Sequence, residues 1–290
     1  MDADAPNFDL QSHSQHSDGA LPPHEVVAIA AEAGVELLAL TDHDSIEGVA
    51  EAAQAARATG LRLAPAVEIT AIDQDRDLHV LGYLIDPADP ALCERLIGYR
   101  AQREHRATEI IERLRELGFE LDESGLQERA AQGKSIGRPH LADAVVRHPA
   151  NAERLAAEKL EGLSPFLVAY LIEDQPAFIP RRGPSVAQAI TTIHDAGGVA
   201  VWAHPFWDIP DADEVIATID RFHGDGIDGV ECFYPTHNRE QANLLADHCA
   251  GHALLSTGSS DFHGPEHRVF GEFRAFSTYG RTPNLGPIAG

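Results

Sequence analysis

At 290 residues and 43% hydrophobic content, the chain can bury a substantial core and is too apolar to be disordered as a whole. Lys and Arg number 22 against 46 Asp and Glu, a formal net charge of -24, which disfavours a groove for duplex DNA but admits a small anion wherever a bound cation reverses the local field. The cysteines, Cys93, Cys232 and Cys249, form neither a CxxC pair nor a disulfide framework, no apolar run nears the roughly 20 residues of a membrane span, and the start lacks a basic n-region; a soluble, cytoplasmic protein is expected.

From the N-terminus, FDLQSHSQHSDG is an apolar-flanked start running into a tight Ser- and Gly-containing turn that carries His13, His16 and Asp18. LPPHEVVAIAAEAG predicts a helix with proline near its first turn and Gly34 closing it, and VELLAL a buried strand. SIEGVAEAAQAARATG predicts a helix ending at Gly60, and LRLAPAVEIT and DLHVLGYLI two strands. The first third therefore alternates as parallel β/α folds do. Between about residues 91 and 180 the pattern becomes long, charged and amphipathic (ALCERLIGYRAQREHRATEIIERLRELG, then RPHLADAVVRH and NAERLAAEKLEG), which predicts a helical insertion. Alternation returns at SVAQAITTIHDAGG, with strands VAVWA, GVECFY and ALLSTG, and the Gly- and Pro-rich tail GRTPNLGPIAG is expected to fray.

The conspicuous polar residues fall at or just past the predicted strands: His43 after LLAL, Glu68 after APAV, then His79, His204 after VAVWA, His237 after VECFYP, and Asp261 with His263 after ALLSTGSS. In parallel β/α barrels the loops after the strands share one face, and that face carries the site. His13, His43, His79, His204 and His263 with Asp18, Glu68 and Asp261 gathered there would be an intolerable cluster of lone pairs and negative charge without cations. The mixed imidazole and carboxylate set suits Mn²⁺, Zn²⁺ or Fe²⁺ better than Ca²⁺, and bridging carboxylates suggest more than one ion. Such a cluster can generate hydroxide from water and clamp phosphoryl oxygens, so phosphoester hydrolysis is the expected reaction.

The series DLQSHSQHSDG, ALTDHDSIEG, AVEIT, HVLGY, AHP and GSSDFHG resembles the PHP (polymerase and histidinol phosphatase) family of metal-dependent phosphoesterases over most of the chain. Within it, the insert bearing GRPHLA is similar to that of the stand-alone phosphatases of AMP or 3',5'-bisphosphonucleosides that also trim short RNA from the 5' end. The resemblance implies an α/β fold: a distorted (β/α)7 barrel from residues 1–90 and 181–290, with residues 91–180 as a helical insertion covering the active site. It implies two or three divalent ions, Mn²⁺, Zn²⁺ or Fe²⁺ with Mg²⁺ as a further option, held by His13, Asp18, His43, Glu68, His79, His204, Asp261 and His263, with Glu68 bridging. His204 and His237 are open between binding metal, holding phosphate and protonating the leaving oxygen. Gln11 stands where the family has the first histidine of His-x-His; its carbonyl either serves as a hard ligand suited to Mn²⁺ or Mg²⁺, or one metal site is weakened.

On the substrate side, Gly137 lets backbone approach closely, Arg138 can fork onto a phosphate and His140 can donate to it; the plainer reading of the same stretch is a helix start. Arg103 and Arg106 share a helix face and are candidates for a second phosphate, against ordinary pairing with Glu109. Trp202, Trp207 and Phe262 are either base-stacking or core residues. Asp42 and Asp44 are expected to orient or flank His43. The expected partner is a small phosphorylated substrate, a nucleotide or short RNA, with neither duplex DNA nor membrane. The alternatives are a histidinol-phosphate or other small-molecule phosphatase, a degenerate metal- or nucleotide-binding module marked by Gln11, and a proofreading module acting in trans.

Overall fold

The computed structural model describes residues 6–74, 76–131, 136–180 and 182–290. In chain order, β1 (Phe8–Asp9), α1 (Pro23–Glu32), β2 (Leu37–Leu40), α2 (Val49–Thr59), β3 (Arg62–Asp73) and β4 (Arg76–Tyr83) precede a helical stretch. That stretch comprises α3 (Pro90–Glu116), α4 (Ser124–Ala131), α5 (Arg138–Val146), α6 (Ala152–Glu158) and α7 (Leu163–Tyr170). Then follow α8 (Val186–Asp195), β5 (Val199–Trp202), α9 (Pro205–Asp208), α10 (Ala212–Gly224), β6 (Gly229–Phe233), α11 (Arg239–Gly251) and β7 (Leu255–Gly258).

The strands form one sheet in the order β1 to β7. All residues of β2 and β6 are buried, as expected of strands covered on both faces. Leu10 N donates to Gly258 O (3.3 Å), and Ser12 pairs in parallel with Phe262, so the two ends of the sheet meet and the barrel nearly closes. Helix boundaries follow local chemistry: Ser185 with Gln188, and Asn238 with Gln241, form capping boxes opening α8 and α11. Gly60, left-handed at φ 79°, ends α2.

Two expectations need correction. β4 runs antiparallel to both β3 and β5, whereas alternation predicts parallel pairing throughout. Asp73 lies opposite Arg76, and so short a connection can only reverse the chain, a parallel crossover needing a dozen residues or more. The tail is also tied down rather than frayed. Ser256 N donates to Asn284 O (2.9 Å), Asn284 N donates to Ser256 Oγ (2.8 Å), and Arg281 reaches Asn243 and Asp247.

The chain divides into two compact units, one of residues up to Ile97 with Pro184–Gly290, the other Gly98–Gly183. In the first, Val26, Val27 and Ala30 of α1 pack with Ala52 and Ala56 of α2 and Leu38 and Leu40 of β2. The second has its own core of Leu114, Phe119, Leu141, Val145 and Phe166, with the Arg154 guanidinium 3.8 Å over the Phe119 ring. Asn151, buried, closes that core's polar edge by bonding Glu120 N, Glu120 O and Val145 O. No helix among the described residues is long and apolar enough to cross a membrane.

Candidate metal centre

The loop after β1 is the tightest part of the centre. Gly19 N and Ser17 N both donate to Ser14 O (3.0 and 3.1 Å), folding residues 13–19 back on themselves. A Cβ on Gly19 would lie 2.2 Å from His13 O, so this return requires glycine. Buried Asp42, at the end of β2, accepts from Ser14 N, Ser14 Oγ and Ser17 Oγ, each at 2.7 Å. Asp42 thus flanks His43 in the chain without bonding its ring: its oxygens are taken up in holding the loop that presents His13 and Asp18. Asp44, at φ 48°, accepts from Thr70 N (3.1 Å) and so fixes the His43 turn against β3.

Around Glu68 the side chains converge. His79 Nδ1 lies 2.8 Å from Glu68 Oε1 and His204 Nε2 3.5 Å from the same oxygen; His13 Nε2 and His43 Nδ1 lie 3.2 and 3.5 Å from Oε2. Asp18 meets His43 Nε2 (3.6 Å) and His263 Nε2 (3.4 Å), and Asp261 Oδ1 is 3.0 Å from His13 Nε2. His263 Nδ1 donates to Asp261 O (2.6 Å), which leaves Nε2 facing Asp18. Gln11, 1% exposed, donates from Nε2 to Glu68 Oε2 (3.1 Å) and accepts from Ser259 Oγ (3.4 Å). Glu68 and His79 sit within β3 and β4 rather than past strand ends; because β4 is reversed, its early residues still face the same rim.

Two overlapping sets of ligand atoms lie within 4.8 Å of one another: His13, Asp18, His43 and His263, and His43, Glu68 and His79. His13 Nε2, His43 Nδ1, Glu68 Oε1, His204 Nδ1, His237 Nε2 and Asp261 Oδ1 are all buried without a hydrogen-bond partner. Converging orphaned lone pairs are what a cation site looks like from the protein side. The donor set of imidazoles and carboxylates fits divalent transition metals.

The electrostatics carry the same signature. Burial would raise Glu68 and Asp18, but the neighbouring imidazoles, His43 foremost, hold both well below the usual carboxylate range. Asp261 is likewise pushed up by burial yet held down to about 2, chiefly by His263 and His13. Burial works against charge on His13 and His204, but Asp261 with Glu68, and Asp208 with Glu68, hold them well above the ordinary imidazole value. His43 is driven down to about 3 by burial. Without metal, protons on imidazole supply countercharge to these carboxylates, and cations would displace them.

His237 stands at the margin, its ring 5.4 Å from that of Tyr234. Its Nδ1 donates to Cys232 O (3.1 Å), and burial lowers it to about 4. Trp202 and Phe262 are fully buried, Trp202 edge-on to Phe222 and Phe262 stacked on Phe273, so both serve the core. Trp207, 54% exposed beside Phe270 and Tyr234, is the aromatic open to a ligand.

Arg103, Arg138 and His140 belong to the second unit. There Gly137 N donates to His140 Nδ1 (3.0 Å), the helix-start geometry at α5, while half-buried Arg138 donates to Leu171 O (3.3 Å). Arg106 donates to Ile179 O (2.9 Å) rather than pairing with an acid in that bond, and burial lowers it to about 10 with Arg138 adding repulsion. Arg103 lies one turn earlier on α3.

Sequence reasoning missed four supporting groups. Buried Glu231 accepts from His204 N (2.9 Å) and Ser259 Oγ (2.6 Å). Asp9 accepts from Ser260 N and Arg274 N, both 2.8 Å, and Tyr234 Oη donates to Asp261 Oδ2 (2.8 Å). Asp208 Oδ2 flanks His204 Nδ1 at 3.4 Å. The available signal was a carboxylate inside an otherwise apolar strand, GVECF for Glu231 and FD for Asp9.

The PHP domain family model matches residues 9–155. The chain is 33% identical over 267 residues to the 5'-3' exoribonuclease Rnm of Escherichia coli (strain K12), covering 89% of this chain and 85% of that one. It is 33% identical over 266 residues to the 3',5'-nucleoside bisphosphate phosphatase of Chromobacterium violaceum, covering 89% and 88%. Among solved structures, a Chromobacterium violaceum protein described as an amidohydrolase with bound sulfate and no metal aligns at TM-score 0.74 and 31% identity, over 98% of this chain and 93% of that one.

Proposed function

The chain belongs to the PHP domain family of metal-dependent phosphoesterases, and from that premise we propose that it hydrolyses a phosphomonoester of a small nucleotide, such as AMP or a 3',5'-bisphosphonucleoside, with short 5'-phosphorylated RNA as a further substrate. The observation that carries this reading is the set of orphaned buried lone pairs converging around Glu68. Two or three Mn²⁺, Zn²⁺ or Fe²⁺ ions held by His13, Asp18, His43, Glu68, His79, His204, Asp261 and His263 would activate water and offset charge on the phosphoryl oxygens.

The chain's own residues divide the remaining work. Tyr234, by donating to Asp261 Oδ2, leaves Oδ1 directed at the centre. His204 has two roles open to it that exclude each other: holding metal through Nε2, or, in the protonated form that Asp208 and Glu68 favour, donating to a leaving oxygen. Burial keeps His237 neutral, and its Nδ1 bond to Cys232 O leaves Nε2 as an acceptor for metal or a substrate hydroxyl. Arg138, His140 and Arg103 are the proposed phosphate contacts of the insertion, supported by the fork geometry of guanidinium on phosphate. Trp207 offers an aromatic face for a base.

The test is phosphate release from 3'-phosphoadenosine 5'-phosphate, AMP, a short 5'-phosphorylated RNA and histidinol phosphate with added Mn²⁺, beside Asp261→Asn and Arg138→Ala. Metal-dependent release from the nucleotides is expected, lowered by roughly 100-fold or more in Asp261→Asn, with Arg138→Ala raising KM. Bound metal without turnover of any nucleotide would refute the reading, and turnover of histidinol phosphate alone would replace it.

A further inference from the structure

A second group of metal-ligating side chains lies at the other end of the strands. The centre described above is built from the segments that leave the strands, whereas α10 and α11 end just before β6 and β7 begin. At those helix ends, His248 Nε2 donates to Asp220 Oδ1 (2.9 Å), a proton that a bound cation would replace, and His252 Nε2 is 3.9 Å from the same oxygen. The ligand atoms of the three residues lie within 4.8 Å of one another.

The sequence builds this arrangement simply. His248 and His252 are four apart, hence on one face a turn away from each other, and their rings stack at 4.2 Å and 28°. His252 Nδ1 is 2.9 Å from His248 O, an oxygen that can only accept, so Nδ1 carries the proton and Nε2 the lone pair. A backbone carbonyl fixing the tautomer in this way is the usual support of a metal-binding imidazole. Donors about 2.0–2.1 Å from a divalent ion sit roughly 3–3.4 Å apart, and the two observed spacings of 2.9 and 3.9 Å bracket that range. His223, on α10 three residues beyond Asp220, stands edge-on to His252 at 5.8 Å and offers another imidazole nearby. The side chains are 14% (His248), 40% (His252) and 54% (Asp220) exposed, which leaves the outward coordination positions to water.

We propose that Asp220, His248 and His252 form a surface site for a late first-row divalent cation, zinc or nickel foremost, which ties α10 to α11. Two imidazoles with one carboxylate select such ions over Ca²⁺ and Mg²⁺, which prefer oxygen shells. The chain's net charge of -24 concentrates cations at its surface. The tie has a structural reach, since α11 starts next to His237 and leads through β7 to Asp261.

Zinc bound per chain after equilibrium dialysis, and the melting temperature with and without zinc, distinguish this site from the barrel centre. The full chain is compared with His248→Ala, His252→Gln and Asp220→Asn. Each variant is expected to bind one zinc ion fewer, to lose the part of the zinc-induced melting shift due to this site relative to its own metal-free melting temperature, and to keep its Mn²⁺-dependent activity. Zinc counts and melting shifts equal to those of the unmodified chain in His252→Gln and Asp220→Asn would overturn the proposal. Because the count does not depend on turnover, it reads this site even if the phosphatase assignment fails.

Discussion

Gln11 is where this chain departs from the His-x-His pattern it otherwise resembles, and its surroundings say what the departure does. Its amide spans Glu68 Oε2 and Ser259 Oγ, so it occupies hydrogen-bonding capacity that an imidazole would offer to a cation. An amide is also a poorer ligand than imidazole for transition metals. Gln11→His is therefore expected to retain more metal per chain after dialysis, measured by elemental analysis, with the gain larger for Zn²⁺ than for Mg²⁺. An unchanged metal count would show that Gln11 does not limit any site. The same residue illustrates what single positions reveal: the histidines and acids of the rim were legible because each stands out after an apolar run, whereas Glu231 and Asp9 were hidden inside such runs. Their role depends on partners 28 and 251 residues away in sequence, Ser259 and Ser260.

At the scale of elements, the alternation of helix and strand was legible from periodicity because buried parallel strands read as short apolar runs. The reversal of β4 was not, since an apolar strand carries no mark of its direction; only the short connection after Asp73 gives it away. The loop of residues 13–19 was legible as a turn, but not the device that holds it. Asp42 belongs to the segment after β2 yet works on the segment after β1, through three bonds of 2.7 Å to Ser14 and Ser17. Asp42→Ala would leave those donors buried and unpaired, a loss of about 2–4 kcal/mol in stability. Metal affinity should fall by about 10- to 100-fold, because His13 and Asp18 lose their support. Dialysis against graded Mn²⁺ together with chemical denaturation checks both, and native affinity in the variant would show that Gly19 and the Ser14 carbonyl suffice to shape the loop.

For the whole molecule, buried acids set the response to pH. Burial pushes Glu231 up to about 8 and Asp9 up to about 7, so in the metal-free chain both are protonated when folded at pH values where the unfolded chain has them ionised. A raised folded-state pKa contributes stability that is complete below the unfolded value, about 4, and is lost as pH rises through the folded value. The raised imidazoles of His13, His204 and His263 act in the same sense above about pH 6.5. The depressed groups do not offset this in the alkaline range: Asp18, Glu68 and Asp261 contribute fully above about pH 4, and His43 and His237 above about pH 6.5, their losses coming only on acidification. The melting temperature of the chelated chain should therefore fall between about pH 6.5 and about pH 9, with Glu231 alone contributing on the order of 2 kcal/mol across that window. Added Mn²⁺ should flatten that fall, because deprotonation of the ligands that destabilises the empty centre is what metal binding requires. Glu231→Gln removes one titrating group while keeping an acceptor for His204 N, so it should flatten the chelated curve without metal. A chelated melting temperature that holds level across this range, or falls as steeply in Glu231→Gln as in the unmodified chain, would mean that the charge on Glu231 is compensated within the fold, and that the surface acids of a chain with net charge -24 govern its alkaline stability instead.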